Sequence, residues 1–137
     1  MSALPHEHRL RVRYAETDQM GVAHHAGFLI WMEEGRTRMM AERGCSYAEL
    51  ERTGVGLPVR KAEVRYRKSA LYEEELVIAT RVEGTRAASI TFAYEIRRAA
   101  NGELLATGTT ELACVRLDDP ARRPVPLPEE LRARLAE

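Results

Sequence analysis

In HRLRVRY, residues 8–14, the apolar Leu10, Val12 and Tyr14 alternate with Arg9, Arg11 and Arg13. A period of two predicts a half-buried first strand, ending near Glu16. From Ala26 to about Arg43 the period changes. Phe28, Trp31, Met32, Gly35 and Met39 recur at helical spacing, with Glu33, Glu34, Arg36 and Arg38 among them, which predicts one long helix. Gly35 on the apolar stripe costs about 1 kcal/mol relative to alanine, so its expected value is a close approach of the helix backbone to a sheet. CSYAELERTG, residues 45–54, predicts a short second helix with Ser46 as N-cap, Glu49 in the capping-box position and Gly54 closing it.

Strand-like runs then follow in series: LPVRKAEVRYR (57–67), EELVIATRVEG (74–84), ASITFAYEIRRA (88–99) and ELLATGTTELACVRL (103–117). In the third, Ile90, Phe92, Tyr94 and Ile96 share one face. Asn101-Gly102 predicts a type I′ hairpin, and the Glu83-Gly84-Thr85 region a turn before it, so the runs are expected to form an antiparallel meander. The tail reads as a proline-rich connection leading to a short helix from near Pro128, with Leu131 and Leu135 on one side. The expected architecture is α+β, a sheet with the long helix against one face. One helix cannot cover both faces and edges of such a sheet, so self-association is expected.

At 137 residues the chain is read as one domain, 1–137, able to bury roughly 70% of the surface its unfolded form exposes. Lysine plus arginine equals aspartate plus glutamate, 21 each. No global field is present to hold nucleic acid or an anionic membrane, and any attraction for anions must be local. Cys45 and Cys114 fall in no metal-spaced cluster and read as reduced, buried thiols. No stretch is long and apolar enough for membrane insertion, and the N-terminal residues lack the apolar run of a secretory leader, so a cytoplasmic location is expected.

The residues RVRYAETDQMGVAHHAGFLIWMEEGR resemble the N-terminal signature of the 4-hydroxybenzoyl-CoA thioesterase-like branch of the hotdog-fold superfamily. An aromatic strand end is followed by T-D-x-x-G-x-x-x-H and a helix carrying an aromatic residue, a glutamate and an arginine. Here these are Thr17, Asp18, Gly21, His25, Trp31, Glu33 and Arg36. Downstream, VRYRKSALYEEELVIATRV is similar to the family's strand–turn–strand, with Ser69 where proline is usual and Glu74 or Glu75 where aspartate is usual. ATGTTELACVRLDDPARRPVPLPEEL is similar to its last strand and closing proline pairs. The resemblance implies a hotdog fold, an antiparallel sheet wrapped around one long helix. It also implies a dimer with continuous sheets, often doubled to a homotetramer, and acyl-CoA thioester hydrolysis at the dimer interface without metal or organic cofactor.

Thioester hydrolysis needs a nucleophile or activated water at the carbonyl carbon and donors for the developing oxyanion. A thiolate with pKa about 8.5 leaves readily, so one carboxylate suffices. Asp18 can attack directly or serve as general base, and the residues do not choose between these roles. The helix start after His25 offers unpaired N–H groups and the positive end of a dipole. By resemblance the His25 N–H is an oxyanion donor, and Gly21 lets the loop turn so that Asp18 and the helix start converge. Glu33, roughly two turns beyond His25, is a third catalytic candidate, suited to orienting Arg36 or a water.

Each of these has a plainer reading. Asp18 caps a turn, His25 is a polar residue at a helix start, and Glu33 is a solvated helix position. Arg60, Lys61, Arg65, Arg67 and Lys68 form a basic cluster suited to coenzyme A phosphates, or ordinary solvated strand positions. His24 is expected to face elsewhere, and a zinc site from His24, His25 and Glu33 lacks a third ligand at recognisable spacing. Trp31, Met32, Met39 and Met40 read as helix core. The competing functions are a non-catalytic acyl-CoA or acyl-carrier binding module, which has no need of Asp18, and a hotdog dehydratase or hydratase, which places histidine and carboxylate elsewhere in the fold.

Overall fold

The computed structural model describes residues 5–136; the reading of the first residues as free of a leader therefore rests partly on positions outside the described residues. Strand β1 (His6–Arg11) leads through a single 3-10 turn (Tyr14–Glu16) and a loop to helix α1 (His25–Glu42). Helix α2 (Tyr47–Arg52), the short β2 (Val55–Gly56) and strands β3 (Val59–Tyr66), β4 (Glu75–Thr85), β5 (Ser89–Arg98) and β6 (Leu104–Ala113) follow, then β7 (Val115–Arg116) and helix α3 (Glu129–Leu135). The five long strands form one antiparallel sheet in the order β1-β4-β5-β6-β3, and β2 pairs with β7 in a small second ladder.

Helix α1 lies across the inner face of this sheet, giving the α+β hotdog architecture. Phe28, Trp31, Met32, Met39 and Met40 are buried against Leu76, Ile78, Ile90, Phe92, Ile96 and Leu105. The close approach expected at Gly35 is present: a Cβ there would stand 2.7 Å from Thr80 Oγ1 and 2.8 Å from Ile78 Cγ2. Gly35→Ala is therefore expected to push α1 off β4 and cost about 1–3 kcal/mol, measurable as a lower urea midpoint with an unchanged slope. A mutant as stable as the wild type would mean that the helix relaxes away without loss. Leu131 and Leu135 of α3 are buried as the tail pattern predicts, and both cysteines are free and buried. No helix among the described residues is long and apolar enough to cross a membrane.

Several local expectations are corrected. β1 stops at Arg11, not near Glu16, because the chain turns into the 3-10 segment; Tyr14 consequently points outward and is 77% exposed. The runs β4, β5 and β6 form a meander, but β3 does not sit beside β4; it crosses the molecule to pair with β6 at the far edge. Glu83-Gly84-Thr85 is not a turn. β4 continues to Thr85 with a bulge between Val82 and Gly84, and the chain reverses over residues 86–88, where Arg86 N–H donates to the Ser89 carbonyl at 2.9 Å. The β5–β6 loop closes on Gly102 at φ +73°, but Asn101 does not take positive φ, so it is a four-residue loop between Arg98 and Glu103 and not a type I′ pair. Ser46 accepts from Glu49 N–H at 3.3 Å, yet the Glu49 carboxylate turns to Arg52 at 2.7 Å and leaves the capping box half made. The last predicted strand is broken at Cys114, whose N–H donates to Ala88 O, and its end becomes β7.

Candidate active site

The loop from Thr17 to Ala23 is closed by its own backbone. Asp18 N–H donates to Val22 O at 2.9 Å, and Gly21 N–H to Asp18 O at 3.0 Å. Gly21 sits at φ +74°, a conformation that L side chains rarely adopt, and a Cβ there would meet nothing, so glycine is required for the turn and not for space. Asp18 Oδ1 accepts from Met20 N–H at 2.8 Å and Val22 N–H at 3.3 Å. Asp18 thus does cap the turn, but with one oxygen only. No donor among the described residues reaches Oδ2, and the side chain is exposed.

Helix α1 starts directly after this loop. No side chain caps it: His24 is the N-cap residue and forms no side-chain cap bond. Gly27 N–H returns to His24 O at 3.0 Å, which leaves the N–H groups of His25 and Ala26 without an acceptor among the described residues. Asp18, His24, His25, Phe28, Tyr66, Arg67 and Lys68 line one cavity of about 410 Å³. His24 faces this cavity, contrary to the expectation that it points elsewhere. The His25 ring packs edge-on to the Tyr66 ring at 4.6 Å, and the Tyr66 hydroxyl donates to His25 O at 2.8 Å. Burial pushes the Tyr66 phenol above its ordinary pKa.

The other sequence candidates lie apart within one chain. Glu33 lines a second cavity of about 520 Å³ with Arg36, Tyr47, Leu57, Val59 and Leu117. Arg60 pairs with Glu111 at 3.3 Å, and Arg65 stands over the outer sheet face beside Glu63, Arg81 and Glu95. Arg67 and Lys68 do reach the Asp18 cavity, Lys68 held at 2.9 Å from Glu103. Among the described residues no group of three or more His, Cys, Asp and Glu side chains is placed to hold a metal ion.

Sequence reasoning gave no role to Glu16 or Tyr66 and did not foresee the burial of Arg36. Glu16 is 8% exposed and binds the indole of Trp31; its spacing from Arg13 was the available signal, since Arg13 N–H donates to Glu16 Oε1 at 2.8 Å in a capping-box arrangement. Tyr66 alternates with solvated arginines and carries no local mark. Arg36, read as the signature arginine that Glu33 could orient, is 5% exposed; its Nε donates to Tyr47 Oη at 3.0 Å and its Nη1 to Tyr94 Oη at 3.4 Å. Burial disfavours its charge, but Tyr47 and Tyr94 outweigh that and hold its pKa above the ordinary value.

A five-stranded antiparallel sheet wrapped on one long helix is the hotdog architecture of thioester hydrolases, and the comparisons with known proteins agree. The model of the thioesterase-like superfamily matches residues 12–135. A putative acyl-CoA thioesterase, YneP, of Bacillus subtilis is 40% identical over 106 residues, 77% of this chain and 76% of that protein. The acyl-CoA thioester hydrolase YbgC of Escherichia coli is 33% identical over 125 residues, 90% of each chain. Among solved structures, a DHNA-CoA thioesterase from Staphylococcus aureus superposes with a TM-score of 0.82 at 37% identity, covering 88% of this chain and 79% of that one. The chain belongs to the thioesterase-like superfamily.

Proposed function

We propose that the protein hydrolyses acyl-CoA thioesters, with Asp18 as nucleophile or general base and the His25 and Ala26 N–H groups receiving the oxyanion. The observation that carries this is the shared cavity: Asp18, one oxygen of which meets no donor among the described residues, and the start of α1, whose first N–H groups meet no acceptor among them, line the same space. Arg67 and Lys68 at the same cavity supply positive charge for the coenzyme A phosphates, and Gly21 shapes the loop. The names of YneP and YbgC support the carrier. Such a substrate implies a cytoplasmic protein.

The acyl pocket comes from a second copy. Among the described residues β3 pairs only with β6, which leaves its other edge free there; Tyr66 at one end of β3 lines the Asp18 cavity, and Val59 at the other end lines the Glu33 cavity. Antiparallel pairing of this edge with its copy about a two-fold axis lays one chain's Tyr66 end beside the partner's Val59 end. The Asp18 cavity then continues into a pocket with apolar Leu57, Val59 and Leu117 walls and a polar floor of Glu33, Arg36 and Tyr47. Donor and acceptor together on that floor suit a compact acyl group bearing a hydroxyl or carbonyl at its far end. Glu33 acts here on the acyl group, across the interface, and a dimer or a dimer of dimers is the active form.

The test is thiol release from a panel of acyl-CoA substrates, short aliphatic, hydroxylated and long-chain. No turnover of any member would sink the proposal. Glu33→Gln is expected to lower kcat/KM about tenfold for hydroxylated acyl groups while leaving unsubstituted ones within about twofold, because only the former lose a partner. Equal effects on both would place Glu33 outside the acyl pocket.

A further inference from the structure

We infer that Glu16 is the positioning residue of the thioester site, holding the Asp18 loop in register with the start of α1 through the indole of Trp31. This rests on the reading of Asp18 given above. Glu16 lies two residues before Asp18, and its backbone carbonyl accepts from His24 N–H at 2.9 Å. Its carboxylate accepts from Trp31 Nε1 at 3.1 Å and from Arg13 N–H at 2.8 Å, with the Arg13 guanidinium at 3.3 Å. One residue thereby grips the strand end before the loop, the N-cap of the helix and the helix's second turn. The grip also reaches the cavity wall: the Trp31 ring packs on Phe28 at 4.8 Å, and Phe28 packs on Tyr66 at 5.1 Å.

A buried carboxylate is a poor source of net stability. Its only cationic partner among the described residues is Arg13, itself 72% exposed, and well-packed apolar replacements of buried ions are often neutral or better for folding. What an apolar side chain cannot do is accept from the Trp31 indole and the Arg13 backbone N–H at once. The carboxylate fixes a distance, between the loop that carries Asp18 and the helix that carries the free N–H groups, and a misplacement of about 1 Å in such a site costs on the order of 10²-fold in rate.

The chain has a single tryptophan, Trp31, so intrinsic fluorescence reads this hydrogen bond without a label. Glu16→Ala is expected to shift Trp31 emission and to lower kcat by about tenfold or more while KM stays within about threefold. Glu16→Gln keeps an acceptor for the indole and is expected to restore most of kcat. The double variant Glu16→Ala/Trp31→Phe is expected to cost no more than the worse single one, because both remove the same bond. Glu16→Ala with wild-type kcat beside an inactive Asp18→Asn overturns the inference alone. A joint fall of kcat and melting temperature in both Glu16 variants, without rescue by glutamine, also overturns it in favour of a purely structural role. Full activity in Asp18→Asn overturns the inference together with the reading beneath it.

Discussion

Asp18→Asn is expected to lower kcat/KM for every accepted acyl-CoA by about 10³-fold, the scale of a lost general base or nucleophile, with an unchanged melting temperature. The two parts of this expectation come from the two oxygens. Asparagine keeps an acceptor in the place of Oδ1, so the bonds from Met20 and Val22 N–H survive and the loop stays folded. It removes the charge at Oδ2, where no donor is spent on structure. A variant that melts like the wild type and also hydrolyses like it would reduce Asp18 to a turn residue. Between the two chemical roles, a burst of thiol release in the wild type would favour attack by the carboxylate, since only that path accumulates an acyl-enzyme.

Ala62→Pro is expected to convert the protein to a monomer in solution-mass measurements and to abolish measurable turnover, with the fold retained by circular dichroism. Arg67 N–H donates to Leu105 O on β6, and alternation along the strand then turns the N–H groups of Arg65 and Glu63 toward β6 and those of Tyr66, Val64 and Ala62 toward the free edge. Proline at Ala62 removes no ladder bond inside the chain and is tolerated on an edge strand, yet it deletes a donor needed by a second copy. Glu63→Pro is the control. Its N–H faces β6, so it should destabilise the monomer fold itself. An active monomer of Ala62→Pro would show the Asp18 cavity to be complete within one chain.

The long helix was legible because its stripe of Phe28, Trp31, Met32, Gly35 and Met39 is dictated by one period over many residues, and the structure places α1 at His25–Glu42, one residue from the expected bounds. The Ile90, Phe92, Tyr94 and Ile96 face of β5 was legible for the same reason, as each is buried. Turns were harder. Gly84 reads as a turn signal, but glycine also serves a bulge, and only the pairing of β4 with β5 decides which. The burial of Arg36 was not legible because its partners, Tyr47 on α2 and Tyr94 on β5, lie far along the chain and leave no mark near it.

The sequence by itself determined the helices, the apolar faces and the neighbourhood of Asp18 and His25. Periodicity fixes the first two, and a short loop with glycine at a positive φ fixes the third. Only the tertiary structure decided strand order. An alternating strand presents the same buried face whichever neighbour it pairs with, so nothing local says that β3 belongs beside β6 at the far edge and not beside β4. That choice separates Arg60 and Arg65 from Asp18, carries Arg67 and Lys68 to it, and leaves a free edge between the two cavities. It is made by long-range burial of the sheet against α1, an interaction between residues whose proximity the chain acquires only on folding.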